Sequence, residues 1–176
     1  MDKIYVLLMH TNTIPSKFVK FFTRYEYSHV AISLEKECKT IYSFGRKSLH
    51  NIFNGGFSVQ NKKGEFFQKF NNTICKIYEI KVTQEQYQEV KNIINYMENN
   101  TSKYKYDFIG IIPRFFKIPI TFENKFVCSY FIAYVLDKAQ ICSFEKDISL
   151  VVPKNFENII NASEIYKGKY LKYMYE

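Results

Sequence analysis

Apolar residues fall in short runs along this chain of 176 residues, and their period changes from segment to segment. Residues 4–9 are continuously apolar and predict a buried strand. Residues 11–15 read as a turn in which Asn12 or Thr13 caps and Pro15 enters the first turn of a short basic-aromatic helix running to about Thr23. Residues 29–34 and 40–44 predict paired strands joined by the polar segment 35–39. Between Gly45 and Asn72 the pattern weakens. The turn elements Asn54-Gly55-Gly56 and Lys62-Lys63-Gly64 mark a loop excursion with short strands. Residues 73–82 alternate as a further strand. Thr83, with Gln86 three residues on, makes a capping box for a helix whose apolar stripe is Tyr87, Val90, Ile94 and Met97. Residues 106–112 predict a short helix stopped by Pro113. Residues 126–136 predict a longer one, with the stripe Cys128, Phe131, Ile132, Val135, Leu136 and Ala139. A short helix from Pro153 through Ile160 and a final strand over 165–175 complete the pattern.

Length and an apolar content of 47% fit one globular domain over residues 1–176. The net charge of +8 favours anionic partners, among them nucleic acid, an acidic lipid surface or an anionic substrate. Lysines interleave with aromatics at 103–106 and 166–173, a pattern that suits single strands. No RRM, KH or OB signature accompanies it, so nucleic acid is not the expected partner. The N-terminal apolar run is too short for a signal peptide, and no run reaches the length of a membrane span. The expected location is the cytoplasm. Cys38, Cys75, Cys128 and Cys142 form no CxxC pair and no disulfide framework. With His10, His29 and His50 they lack zinc-ligand spacing, so no metal site is expected.

The chemistry suggested by this pattern rests on Cys128 and His29. Cys128 falls in the first turn of its helix, on the apolar face, where the helix N-terminus favours a thiolate. His29 starts a strand on which Val30, Ile32 and Leu34 form the core face, while His29, Ala31 and Ser33 share the other. The small neighbours leave room beside the imidazole. A third group would orient the imidazole through its second nitrogen. Ser43, across the hairpin, is the first candidate, with Tyr42 in a shifted register and Glu65 from the loop as alternatives. The backbone N–H of Cys128 supplies one oxyanion donor. Tyr27 and His10 are the candidates for a second.

These residues resemble a known family. "SHVAISL" at 28–34, followed by "FVCSYFIAYVL" at 126–136, looks like the permuted papain-like branch of the NlpC superfamily, the group of YiiX/YycO-type proteins. Lecithin retinol acyltransferase-like enzymes are more distant relations. "IYSFGRK" at 41–47, "GGF" at 55–57, "YKYDFIG" at 104–110 and "VVPKNF" at 151–156 extend the resemblance over most of the chain. It implies an α+β fold, an antiparallel barrel-like sheet packed against helices that include the one carrying Cys128. It matches His29 to the family's general base and Cys128 to its nucleophile. Ser43 falls at the third polar position once a hairpin two residues longer is allowed, where many members carry His, Glu or Gln. The implied activity is that of a cysteine peptidase or amidase acting through an acyl-enzyme, without a cofactor. A lipid or thioester acyltransferase or hydrolase on the same dyad is one alternative. A non-catalytic binding module on the same fold is the other. Substrates would be peptide, amide or acyl-lipid, with Tyr27, Gly55, Gly56 and Phe57 at the substrate. Phe57, with Phe115 and Phe116, would line an apolar groove beside the thiol. Peripheral contact with an anionic membrane surface fits the basic charge.

Overall fold

The computed structural model describes residues 1–11, 24–47 and 54–174. The helix expected after Pro15 lies outside them, as does His50. Eight strands form one sheet: β1 (Asp2–His10), β2 (His29–Ser33), β3 (Thr40–Arg46), β4 (Gly55–Asn61), β5 (Ile74–Val82), β6 (Lys105–Tyr106), β7 (Lys125–Phe126) and β8 (Ala162–Lys169). Their order across the sheet is β7-β6-β4-β3-β2-β1-β5-β8. Every pairing is antiparallel except that of β6 with β7. The α-helices are α1 (Glu65–Lys69), α2 (Gln84–Asn99), α3 (Ile111–Phe115) and α4 (Cys128–Lys138).

The unbroken apolar run of β1 follows from its place inside the sheet, covered on both faces. Ile4, Val6 and Leu8 enter the larger core with Val30, Ile32, Phe44, Ile80 and the buried sides of α2 and α4. Tyr5, Leu7 and Met9 enter a second core with Ala31, Cys75, Ile77, Phe67 of α1, Tyr170 and Tyr173. The expected stripe of α4 is buried throughout. Its four large apolar side chains, Phe131, Ile132, Val135 and Leu136, would lose about 1.5–3 kcal/mol each if returned to water, which pins the helix axis, and with it Cys128, against the sheet. Ser129 adds a directional tie by donating to the carbonyl of Val151 at 2.5 Å. The capping box of α2 is present, with Thr83 and Gln86 bonded in both directions.

Two expected features differ. The stretch read as a loop excursion with short strands holds, among its described residues, the end of β3, all of β4, which pairs with β3 from Thr40↔Asn61 to Arg46↔Gly55, and the unexpected helix α1. The paired glycines of β4 carry no apolar periodicity, so the strand leaves little trace in the sequence. The helix expected at 106–112 is displaced: residues 105–106 form β6, and α3 runs through Pro113. Pro113 is the third residue of α3. A first-turn N–H has no intrahelical acceptor, so proline there forfeits no bond.

Candidate active site at the splayed end of strands two and three

Cys128 is the first residue of α4. The residue before it, Val127, offers no capping side chain, so the first-turn amides need another acceptor. The backbone N–H groups of Val30, Ser129 and Cys128 lie near enough to the Cys128 sulfur to favour its anion. Val30 directly follows His29, so the thiol sits one peptide away from the Cα of the histidine.

The sheet makes room for the thiol by opening. β2 and β3 pair only at Ile32↔Tyr42. Continued towards His29, that register would carry β3 alongside Val30. Instead, the Ser43 hydroxyl donates to the Val30 carbonyl at 2.7 Å, and the Val30 N–H lies near the sulfur. Ser43 is buried, so its hydroxyl satisfies a carbonyl that would otherwise be an orphan in a dry site. The Ser43 proton is committed to Val30, and among the described residues no hydrogen bond joins its hydroxyl to the His29 ring. Tyr42, the alternative, stacks on Phe57 with ring centroids 6.4 Å apart. Glu65 sits at the start of α1, beside the second core.

The imidazole lies over Gly45 of β3. A β-carbon built on Gly45 would stand 3.3 Å from Cε1 of His29 and 3.9 Å from Nε2. The glycine in "SFGR" therefore clears the space that the ring occupies. Burial pulls the His29 pKa down to about 4, so the ring is neutral near pH 7. Burial also raises the Cys128 thiol above its ordinary value, and the three N–H groups only partly counter this. Burial therefore opposes the thiolate that the helix N-terminus favours. Desolvation of the anion outweighs the amides, and the resting pair is a neutral thiol beside a neutral imidazole.

Tyr106 of β6 completes the cluster. Burial above all, then the nearby Cys128 and more weakly Asp107, hold its phenol pKa well above the tyrosine range, with Arg114 opposing them. The phenol therefore carries its proton and can donate it. Sequence reasoning assigned this role to Tyr27 or His10. Tyr27 is a core residue whose hydroxyl environment is set by Glu26 and Lys76. His10 Nδ1 stands 3.1 Å from the Ser28 hydroxyl. The available signal for Tyr106 was its place in "YKYDFIG", where a two-residue strand was too short to be read from periodicity. The proposed substrate residues Gly55, Gly56 and Phe57 also change role. Phe57 is buried among Phe44 and Phe131. A β-carbon on Gly56 would lie 2.4 Å from the Tyr104 carbonyl oxygen, and one on Gly55 2.7 Å from Cβ of Tyr106. The glycines let β6 approach β4, bringing Tyr106 to the thiol.

No family model matches the chain, and no curated protein matches it in sequence. Among solved structures it resembles one described as the metalloprotein YiiX from Escherichia coli O157:H7. The TM-score is 0.60 and the identity 14%, over 96% of this chain and 98% of that one. The likeness spans both chains and shows that the two share a fold. The donor set of the present site does not make a metal centre. It offers one thiol and one imidazole, and among the described residues no group of three or more His, Cys, Asp or Glu side chains could hold an ion. Among these residues no helix is long and apolar enough to cross a membrane.

Proposed function

We propose that the protein is a cysteine hydrolase of the permuted papain-like type, cleaving an amide, ester or thioester through an acyl-enzyme on Cys128. The observation that carries this reading is that the helix-start thiol of Cys128 lies by the backbone N–H of Val30, the residue after the strand-start His29. In the reaction, Cys128 Sγ attacks the substrate carbonyl carbon as His29 takes the thiol proton. Because both groups rest neutral, the proton moves as the C–S bond forms, in general-base fashion. The carbonyl oxygen becomes an oxyanion, stabilised by the Cys128 N–H and the Tyr106 hydroxyl. Collapse breaks the bond to the leaving nitrogen, oxygen or sulfur, which receives the proton held by His29. Water then attacks the thioester with His29 again as base and releases the acid. An acceptor alcohol or amine in place of water gives acyl transfer by the same steps. The substrate classes in view are peptide, amide and acyl-lipid.

The test is intact-mass trapping with activated acyl esters, mapped over all four cysteines. Cys142 is the internal control, because it is the most accessible of them. The expected result is a hydroxylamine-labile adduct on Cys128 that forms faster than on Cys142, turns over, and is lost in Cys128→Ala. In His29→Gln both formation and turnover should slow by about 10²-fold or more. Acylation of Cys128 no faster than Cys142 and indifferent to His29→Gln would sink the reading, leaving a binding module on this fold.

A further inference from the structure

The segment that follows Tyr106 inverts the usual arrangement of a surface loop. Its polar groups are inside and its large apolar groups are outside. Asp107 is fully buried and Arg114 nearly so, with Oδ2 and Nη2 2.8 Å apart. The other carboxylate oxygen accepts the Gly110 N–H at 2.9 Å, and Arg114 Nη2 also donates to the Ile120 carbonyl at 2.8 Å. A β-carbon on Gly110 would stand 2.2 Å from Asp107 Oδ2, so the glycine is what lets the chain close over the pair. Around this polar hub, Ile109, Ile112, Phe116 and Ile118 are 66, 65, 74 and 54% exposed, with Phe108 and Phe115 exposed beside them. Six large apolar side chains within eleven residues are exposed on a tightly closed frame.

We infer that residues 108–118 form a wedge that docks the protein on an anionic lipid bilayer. A cluster of exposed apolar side chains of this size marks an interaction site in a soluble fold, and the surrounding charge selects the partner. Residues 103–125 carry five basic side chains, Lys103, Lys105, Arg114, Lys117 and Lys125, against two acidic ones, Asp107 and Glu123. Asp107 is neutralised by Arg114. Burial, and after it repulsion from the nearby Lys117, hold the Lys146 pKa below its usual value. An anionic headgroup layer relieves that repulsion while the acyl boundary takes up the isoleucine and phenylalanine side chains. The wedge adjoins the site: the rings of Phe108 and Tyr106 lie 4.8 Å apart, and Tyr106 is near enough to Cys128 to feel its charge. Bilayer docking therefore brings the thiol to the membrane surface.

The chain has no tryptophan, so Phe116→Trp installs a single reporter at the tip. With phosphatidylcholine–phosphatidylserine vesicles its emission should shift to the blue, and the unlabelled protein should co-sediment. Pure phosphatidylcholine should give a weaker response, and added salt should weaken binding to the mixed vesicles. Ile112→Asp/Phe116→Asp should lower vesicle affinity by about 30-fold or more, since two side chains lose their apolar burial. Its thermal midpoint should stay unchanged, because both positions are exposed. Absence of a blue shift on either vesicle would overturn the inference, as would equal binding by the double aspartate variant. Concentration-dependent dimerisation lost in that variant would overturn it too, by assigning the surface to a second copy of the chain. Vesicle binding is read without turnover, so it stands or fails independently of the proposed hydrolase activity.

Discussion

Protonation of His29 should destabilise the folded protein, and the structure sets the size of the effect. Burial holds the imidazole near pKa 4, against an ordinary value of 6.5. Between these values the unfolded chain binds a proton that the folded chain refuses, so stability rises with pH and is lost as pH falls. At 1.36 kcal/mol per pH unit the whole interval is worth about 3 kcal/mol. That is a ceiling, because the residue keeps some exposure. From pH 7 to pH 5 the share is about 2 kcal/mol, and for a chain of this size it lowers the melting temperature by about 4–8 °C. The assay is urea unfolding of the native protein and His29→Gln at both pH values, urea being preferred because guanidinium would screen charges. Every other titrating group is common to both proteins. The extra loss in the native protein, about 2 kcal/mol at most, therefore isolates His29. Parallel losses would refute the desolvated imidazole. A native protein that gains relative to the variant as pH falls would refute the neutral pair, since a raised imidazole pKa signals a thiolate partner at rest.

Three further outcomes follow from individual contacts. Tyr106→Phe removes the proposed oxyanion donor and should lower the turnover of an activated ester by about 10²-fold, while unfolding in urea at pH 7 is little changed. Ser43→Ala leaves the Val30 carbonyl without the hydroxyl now 2.7 Å away. It should cost about 1–3 kcal/mol of stability, measured from the shift in urea midpoint. Gly45→Ala places a methyl 3.3 Å from Cε1 of His29. The ring must give by a few tenths of an ångström, so His29-dependent acylation of Cys128 should slow with the urea midpoint nearly unmoved.

What the sequence disclosed, and what it concealed, divides along physical lines. The burial of β1, the capping box at Thr83 and the stripe of α4 were legible because each repeats a period set by its own backbone. That period also located Cys128 at a helix start and His29 at a strand start. The partners of those residues were not legible, because they depend on long-range register. Ser43 was correctly placed across the hairpin from His29, yet its hydroxyl goes to Val30, and no local pattern distinguishes a hydroxyl that orients an imidazole from one that satisfies a backbone carbonyl. Tyr106 lies on a strand of two residues that exists only because Gly56 admits the Tyr104 carbonyl. The burial that opposes the thiolate was not legible, because helix-end amides are visible in sequence, whereas the water excluded around them is not.

The burial that raises the thiol and lowers the imidazole also bears on when the site can work. A preformed thiolate–imidazolium pair would be two charges in a dry slot, and desolvation here penalises both. With neutral partners, charge appears only as the carbonyl is attacked. At that stage negative charge develops on the substrate oxygen, beside the Cys128 N–H and the Tyr106 phenol, and positive charge on His29. The two amides from α4 and the Val30 N–H are fixed by backbone and cost little reorganisation at that moment. Such a site discriminates by substrate: a small alkylating agent that needs a resting thiolate is disfavoured, whereas an acyl group that seats its carbonyl by Tyr106 supplies the acceptor for the charge. Cys128 should therefore be acylated faster than Cys142 by a bound acyl ester and yet alkylated more slowly than Cys142 by iodoacetamide at pH 7. Mass mapping of the two reactions on one sample measures both ratios. Rapid, selective alkylation of Cys128 would show a thiolate at rest and overturn the neutral pair.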